Sequence, residues 1–140
     1  KIYYDNDISL KYYVRGNYRN LYKQFFQYGY WKVYVNKKHK AVTTFRQLIP
    51  PLFVLFLFAF PFSFLIHLKL GMAFNAILGF YILLNMVFSF KLATNFKAYI
   101  HTLYIFPLLH LSYGLGYLKG LLTFVFLGKK PSERAKSLSR

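Results

Sequence analysis

The order of apolar and polar residues divides the chain into a polar N-terminal third and three long apolar runs. Residues 47–68 and 70–90 contain no Asp, Glu, Lys or Arg. A third run, 103–127, is interrupted by one proline, one histidine and one lysine: Pro107, His110 and Lys119. An α-helix rises about 1.5 Å per residue, so each run is long enough to cross a hydrocarbon core of about 30 Å. The pattern predicts about three transmembrane helices.

Before the first run, the apolar residues follow a helical period. One half of the helical wheel is mostly aromatic: Tyr18, Leu21, Tyr22, Phe25, Phe26, Tyr28 and Gly29. The other half is polar: Arg19, Asn20, Lys23, Gln24 and Gln27. Asn17 suits an N-cap, and Gly29 predicts the end of the helix or a kink. A basic helix with an aromatic face lies naturally in the plane of a membrane interface; the alternative is that this face packs against protein.

The remaining segments are less apolar. Residues 1–16 alternate loosely, which predicts a short β-strand ended by Gly16. Lys69 and Gly71 indicate a tight turn between the first two apolar runs, and residues 91–102 an amphipathic connector. The predicted fold is an all-α membrane protein fragment, with an interface helix, about three transmembrane helices and a short N-terminal strand.

The composition supports a membrane location. Hydrophobic residues make up 56% of the 140 residues and aromatic residues 23%, and the net charge is +16. The cations flank the apolar runs, so anionic lipid headgroups are the expected counter-charge and a nucleic-acid partner is not expected. The chain has no cysteine, which excludes disulfides and a cysteine nucleophile.

The distribution of the cations predicts the orientation in the membrane. Ten of the nineteen Lys and Arg residues precede residue 48, which places the N-terminal side in the cytoplasm. Three crossings would then export the basic tail, residues 129–140. The alternative is a third apolar run that re-enters the membrane without crossing it. We expect three crossings, because the charge bias near the first span usually dominates.

Few residues of the chain suggest chemistry. Asp5 and Asp7 have the Asp-x-Asp form of a metal site, but Asp and Asn also make turns, and we predict no metal site. His110 lies within an apolar run, where an imidazole is either functional or hydrogen-bonded to a neighbouring helix, and we expect the latter. Gly116 and Gly120 permit a close approach of two helices. No catalytic residue is predicted in the chain, because no Ser/His/Asp arrangement or carboxylate pair is present.

The segment "YYVRGNYRNLYKQFFQYGYWKVYVNKKHKAVTTFRQLIPPLFVL" resembles the C-terminal membrane region of bacterial family 2 glycosyltransferases of the succinoglycan-biosynthesis type. The matching positions are an arginine, a Leu-x-x-Gln-aromatic-aromatic-x-Tyr-Gly motif and an Arg-x-Leu-x-Pro motif: Arg15, Leu21, Gln24, Phe25, Phe26, Tyr28, Gly29, Arg46, Leu48 and Pro50. "HLSYGLGYLKGLL", residues 110–122, resembles the last span of that family. The resemblance implies structural roles for seven residues: Gly29, Trp31, Arg46, His110, Tyr113, Gly114 and Gly116.

Residues 24–28 also resemble the Gln-x-x-Arg-Trp signature of processive family 2 synthases, which helps to bind the acceptor sugar. Here Gln27 stands in place of Arg and Tyr28 in place of Trp, so transfer of single sugars fits better than processive synthesis. The resemblance implies four acceptor-binding residues: Arg15, Gln24, Gln27 and Tyr28. On the wheel both glutamines lie on the polar face, away from lipid.

The implied enzyme is longer than this chain, which begins at Lys1 and shows no signal peptide. The resemblance implies that residues 1–16 end a GT-A catalytic domain, which would bind the nucleotide-sugar and a divalent metal. Residues 17–46 would form the interface helix and a basic loop, and residues 47–128 the transmembrane region. The chain would be the anchor and acceptor platform in a bacterial inner membrane, with the lipid bilayer, the GT-A domain and a glycan acceptor as partners. The alternative is a small non-enzymatic membrane scaffold or subunit.

Overall fold

The computed structural model describes residues 17–40 and 44–131, and these residues form four α-helices. The helices are α1 (Tyr18–His39), α2 (Ile49–Ile66), α3 (Leu68–Leu92) and α4 (Phe96–Gly120). A 3-10 turn, Phe45–Leu48, precedes α2, and a π-helical turn, Leu121–Phe126, follows α4. The described residues contain no strand, so the all-helical prediction is confirmed for them. The predicted N-terminal strand, Asp5, Asp7, Arg15 and most of the basic tail lie outside the described residues.

Helix α1 is longer than its sequence pattern predicts. The Asn17 side chain accepts a hydrogen bond from the Asn20 backbone N–H at 2.8 Å, as expected for an N-cap. The prediction that Gly29 ends the helix is wrong, because α1 continues to His39. The helix ends at Lys40, whose left-handed backbone (φ 51°) lets its N–H bond to the last carbonyls. Gly29 is instead buried, and its lack of a side chain serves packing.

Helices α1 and α4 pack in parallel through glycines. A Cβ on Gly29 would overlap the carbonyl oxygen of Tyr113, and a Cβ on Gly116 would overlap that of Phe26. A Cβ on Gly120 would lie 2.7 Å from the Tyr30 carbonyl oxygen. The close approach that the spacing of Gly116 and Gly120 permits is therefore present, and its partner is α1.

The two ends of the α1–α4 pair show its direction. Near the start of both helices, the Tyr18 hydroxyl is hydrogen-bonded to Nδ1 of His101. Near the end of α1, Nζ of Lys37 donates to the carbonyl oxygen of Phe124. The pair is thus parallel from end to end, and part of the aromatic face of α1 packs against protein.

An aromatic core joins α1 to the π-helical turn. Phe124 is fully buried, and with Val33 and Tyr117 it forms the centre of this core. The ring of Tyr30 lies 4.7 Å from that of Phe124, centroid to centroid, and the Trp31 and Tyr34 rings pack around it at 6.2 and 5.3 Å. The core holds the C-terminal end of the helix pair together, where α4 itself has ended.

Helices α2 and α3 form the predicted hairpin, with a different turn. The chain reverses at His67, whose backbone is extended, and α3 begins at Leu68; the predicted turn at Lys69 and Gly71 is wrong. Gly71 lies one turn into α3, where its missing side chain makes room for the Phe64 ring. Ring contacts also join the two helices, with Phe53 4.4 Å from Tyr81 and Phe56 4.8 Å from Phe74.

Two helices of the described residues are long and apolar enough to cross a membrane: Phe45–Ile66 and Leu68–Leu92. Their most apolar windows are only 17% and 6% buried, whereas a core helix of a water-soluble protein is mostly buried. Exposed apolar surface of this extent suits lipid contact. The first two predicted spans, 47–68 and 70–90, match these helices closely.

The predicted connector and third span form one helix. Asn95 caps α4 by accepting from the Ala98 backbone N–H at 2.8 Å, so residues 96–102 are already helical and are not a separate connector. Pro107 lies inside α4, and the predicted third run, 103–127, ends in the π-helical turn.

Replacing Gly29 by alanine should destabilise the protein, because the new methyl group overlaps a backbone carbonyl that cannot rotate away. We expect a loss of about 1–3 kcal/mol, in the range of overpacked cores. Gly79→Ala is the matched control, because Gly79 is also helical and a Cβ there meets no atom within 4 Å. Both substitutions raise the helix propensity by the same amount. The difference between their unfolding temperatures in detergent therefore reports the α1–α4 contact alone. Equal unfolding temperatures would contradict the close α1–α4 packing.

Candidate functional site

An open cavity of about 700 Å³ lies between α1, α4 and the 3-10 turn that precedes α2. Residues of all three segments and the start of α2 line it: Phe25, Tyr28, Trp31, Lys32, Val35, Thr44, Arg46, Gln47, Pro50, Leu109, His110 and Tyr113. It is large enough to hold a small ligand. The cavity exists because the glycine contacts hold α1 against α4 and because α2 approaches α4 equally closely at Gly114. A Cβ on Gly114 would lie 2.5 Å from the carbonyl oxygen of Pro50.

One side of the cavity is aromatic. Phe25, Tyr28 and Trp31 recur every three residues along α1, so they form a stripe beside the glycine face of the helix. Tyr113 of α4 lies across from them, one position before Gly114. Such rings offer apolar surface together with the polar tips of Tyr and Trp.

The Tyr28 side chain is held by its own helix. Nε2 of Gln24 donates a hydrogen bond of 2.7 Å to the Tyr28 hydroxyl oxygen, four residues further along α1. The phenol is half exposed at 52%, so its ring and its own O–H remain accessible from the cavity. Gln24 therefore orients Tyr28 and does not itself line the cavity.

His110 lies where three helices meet. Its Nδ1 is 2.9 Å from the Phe106 carbonyl oxygen, so Nδ1 carries the proton that it donates and Nε2 is left as an acceptor. Its ring lies 5.9 Å from Phe53 of α2 and 5.8 Å from Tyr81 of α3. The imidazole joins α4 to the base of the hairpin, and it is hydrogen-bonded within its own helix, not to a neighbouring one.

The polar part of the cavity carries positive charge. Arg46 reaches it from the 3-10 turn and Lys32 from α1. Gln47 is only 7% exposed, and neither atom of its amide has a hydrogen-bond partner among the described residues. No group of three or more His, Cys, Asp or Glu side chains suited to a metal occurs in 17–40 and 44–131. The arrangement suits binding, since the lining includes no carboxylate and no nucleophile with a base beside it.

The structure brings together five of the residues that the sequence singled out: Tyr28, Trp31, Arg46, His110 and Tyr113. Gln24 and Gln27 are outside the lining, and Gly29, Gly114 and Gly116 lie in the helix contacts. Sequence reasoning missed five lining residues: Lys32, Val35, Thr44, Gln47 and Leu109. In the sequence pattern Gln47 is the first residue of the apolar run 47–68, although an amide side chain between an arginine and two prolines is an unusual start for such a run.

Comparison with family models, with curated proteins and with solved structures gives no match to this chain.

His110→Ala should lower the stability of the protein by about 1–3 kcal/mol, because it removes a ring that packs on both Phe53 and Tyr81. His39→Ala is the control, since His39 is exposed in the last turn of α1; its effect should stay within about 0.5 kcal/mol. Thermal unfolding in detergent measures both. A His110→Ala protein that unfolds like the parent would contradict this packing role.

Proposed function

We propose that this chain is the membrane anchor and acceptor-positioning platform of a family 2 glycosyltransferase. The enzyme would move a sugar from a nucleotide-sugar donor to a lipid-linked or polysaccharide acceptor. The observation that carries the proposal is the cavity, because residues that the family resemblance singles out on three separate segments line one space. A packing role alone does not require Tyr28, Trp31 and Arg46 to face the same opening.

The lining suits a sugar. Aromatic rings such as those of Trp31 and Tyr113 stack on the apolar faces of pyranose rings, while hydroxyl, amide and guanidinium groups bond to the sugar hydroxyls. Tyr28 would hydrogen-bond the acceptor, with Gln24 fixing its orientation. Gln24 is thus a positioning residue in this proposal. This differs from the sequence-based expectation that Gln24 contacts the acceptor directly.

The chemistry of transfer would belong to a GT-A domain outside the described residues. That domain would bind the nucleotide-sugar and a divalent metal, and it would provide the general base. The described residues contribute binding and orientation: holding an acceptor hydroxyl in a reactive position removes much of the entropic cost of a reaction between two molecules.

The parallel α1–α4 pair determines which membrane topology we propose. Helix α1 carries five cations: Arg19, Lys23, Lys32, Lys37 and Lys38. Each costs about 2.5–3.5 kcal/mol at the centre of a transmembrane helix, so α1 lies at the membrane surface. Because α4 follows α1 along its whole length, α4 lies there too. Its contacts with α2 lie near the start of that helix, since Gly114 approaches Pro50 and Val54.

We therefore favour two crossings by α2 and α3, with the third apolar run held at the interface, over the three crossings expected from sequence. Two crossings return the chain to its starting side, so the tail cations Lys129 and Lys130 join those before residue 48. All of the main positive clusters then lie on one side, as the positive-inside bias favours, and only Lys69 at the tip of the hairpin lies on the other. That side would be the cytoplasm of a bacterial cell.

Topology reporters distinguish two crossings from three. A reporter inserted beside Lys69, at the tip of the hairpin, should be active only outside the cytoplasm, and a reporter after Arg140 only inside. The reporter at Lys69 also serves as the control for insertion, because both topologies place it outside. An external signal after Arg140 would support three crossings, and it would contradict the placement of the α1–α4 pair at the membrane surface.

Gln24→Ala should lower transfer to the acceptor in the enzyme that contains this chain. Loss of one neutral hydrogen bond is worth about 0.5–1.5 kcal/mol, and a misplaced acceptor costs up to about 100-fold in rate. Hydrolysis of the donor without acceptor should remain nearly normal, because Gln24 does not touch the donor. The effect should fall on kcat more than on the acceptor KM, since the binding surface itself is intact.

Tyr28→Phe tests the same step from the other partner, because it keeps the ring and removes the hydroxyl that Gln24 holds. Its effect should match that of Gln24→Ala, and the double variant should be no worse than either single one. Arg19→Ala is the control on the same helix and should leave transfer largely intact. Unchanged transfer in both Gln24→Ala and Tyr28→Phe would argue against the acceptor platform; no transfer by the parent would favour the scaffold.

A further inference from the structure

One glycine of the membrane hairpin makes no contact that explains its presence. Six glycines of the described residues lie in helices, and at five of them a Cβ would come within 3 Å of another part of the chain. The exception is Gly79 in α3, where a Cβ meets no atom within 4 Å. Glycine lowers helix stability relative to alanine, and small residues in membrane helices are enriched where two helices approach closely. Gly79 therefore marks a helix contact that a single copy of the chain does not make.

The Asn75 side chain, one turn before Gly79 in α3, lacks a partner as well. It is exposed, and its amide makes no hydrogen bond to another described residue. Asn75 lies within the charge-free run 70–90, so its amide faces hydrocarbon, where an unpaired polar group is unfavourable. The other asparagine of α3, Asn85, is paired inside the molecule, since its Nδ2 donates to the carbonyl oxygen of Leu103 at 3.0 Å. Asn75 requires a partner from a second molecule.

Asn75 and Gly79 belong to a row of exposed residues with the spacing of a helix–helix contact. The row, called the Asn75 face below, consists of Met72, Asn75, Gly79, Ile82 and Met86. Steps of three and four residues alternate along it, which is the repeat that keeps one face of a helix toward a partner helix in left-handed packing. Helix α3 packs on α2 through other positions, including Phe74 and Tyr81. The Asn75 face is thus free to meet a second helix.

We propose that a second copy of this chain packs on the Asn75 face, so that α3 pairs with α3 in a two-fold symmetric dimer within the membrane. An amide both donates and accepts, so two Asn75 side chains form reciprocal hydrogen bonds across a two-fold axis. Copies inserted in the same orientation hold Asn75 at the same depth, about 10 Å along α3 from the tip of the hairpin. An unrelated membrane protein would need a polar group at that depth, whereas a second copy always has one.

Energy transfer between labelled copies measures the dimer. The chain has no cysteine, so one cysteine added after Arg140 carries the donor or acceptor dye on the full chain in phosphatidylcholine liposomes. We expect energy transfer that falls with dilution in lipid, as for a monomer–dimer equilibrium. Asn75→Leu should weaken association on the order of tenfold, the range of interhelical hydrogen bonds in membranes, and Asn75→Gln should weaken it less. A parent chain that stays monomeric at every protein-to-lipid ratio, or an Asn75→Leu chain that associates like the parent, would overturn the proposal.

Gly79→Leu tests the close approach of the two backbones. Alanine is still small enough for such contacts, so leucine is the informative substitution. It should weaken association on the order of tenfold, and it should leave the unfolding temperature unchanged because a side chain at Gly79 meets no atom of its own chain. Ala73→Leu is the matched control, since it adds bulk at an exposed position of α3 outside the Asn75 face; its effect should stay below about twofold. Equal weakening by both variants would contradict a contact at Gly79.

Single cysteines locate the interface on α3. Met72→Cys and Met86→Cys, at the two ends of the Asn75 face, should form disulfide-linked dimers when the liposomes are oxidised by air with copper phenanthroline. Ile77→Cys is the control, because Ile77 is exposed on the opposite side of the helix from Met86. Equal linkage at Ile77 would mean random collision and would overturn the Asn75 face. This inference does not depend on the proposed function: loss of the dimer leaves sugar transfer open, and a chain without any transfer can still dimerise.

Discussion

The close contact of α1 and α4 at glycines is the constraint on which the rest of the described structure depends. Gly29, Gly116 and Gly120 let backbone meet backbone, so the two helices lie side by side in parallel over their whole length. Such pairing fixes the rotation of α1 about its axis as well as its distance from α4, because only one face carries the glycine. The Phe25, Tyr28 and Trp31 stripe is thereby turned toward Tyr113, and the cavity follows from that rotation.

The same contact couples a charged helix to an apolar one, which sequence hydropathy cannot represent. Read alone, residues 103–127 have the length and composition of a membrane span. Paired with α1, they are bound to a helix whose cations make burial in the bilayer core costly. Helix α4 is not apolar enough to count as a candidate membrane span, whereas α2 and α3 are. This agrees with a helix that has one face on protein, one on the hairpin base and one toward lipid. Whether an apolar run crosses a membrane therefore depends also on its helix partner, which a window of local sequence does not contain.

How much of the structure could be predicted from the sequence depends on how far apart in the chain the interacting residues lie. The α2–α3 hairpin and the Asn17 cap depend on neighbouring residues, and both are present. The spacing of Gly116 and Gly120 predicts a close approach, which is present, but it does not reveal that the partner is α1. The role of Gly29 could not be predicted, because a glycine that ends a helix and one that packs against a distant helix look alike locally. The turn at His67 and the hydrogen bond from Gln24 to Tyr28 are local, yet the sequence pattern does not single them out. The cavity is assembled from positions up to about ninety residues apart, and no local pattern reveals it.

The aromatic half of α1 therefore serves two purposes, divided around its circumference. Phe26, Gly29 and Val33 pack on α4, while Phe25, Tyr28 and Lys32 line the cavity. Lys32 and the Gln24-bound Tyr28 place an ammonium group and a phenol hydroxyl within this aromatic half, so the part of α1 that lines the cavity is polar as well as aromatic.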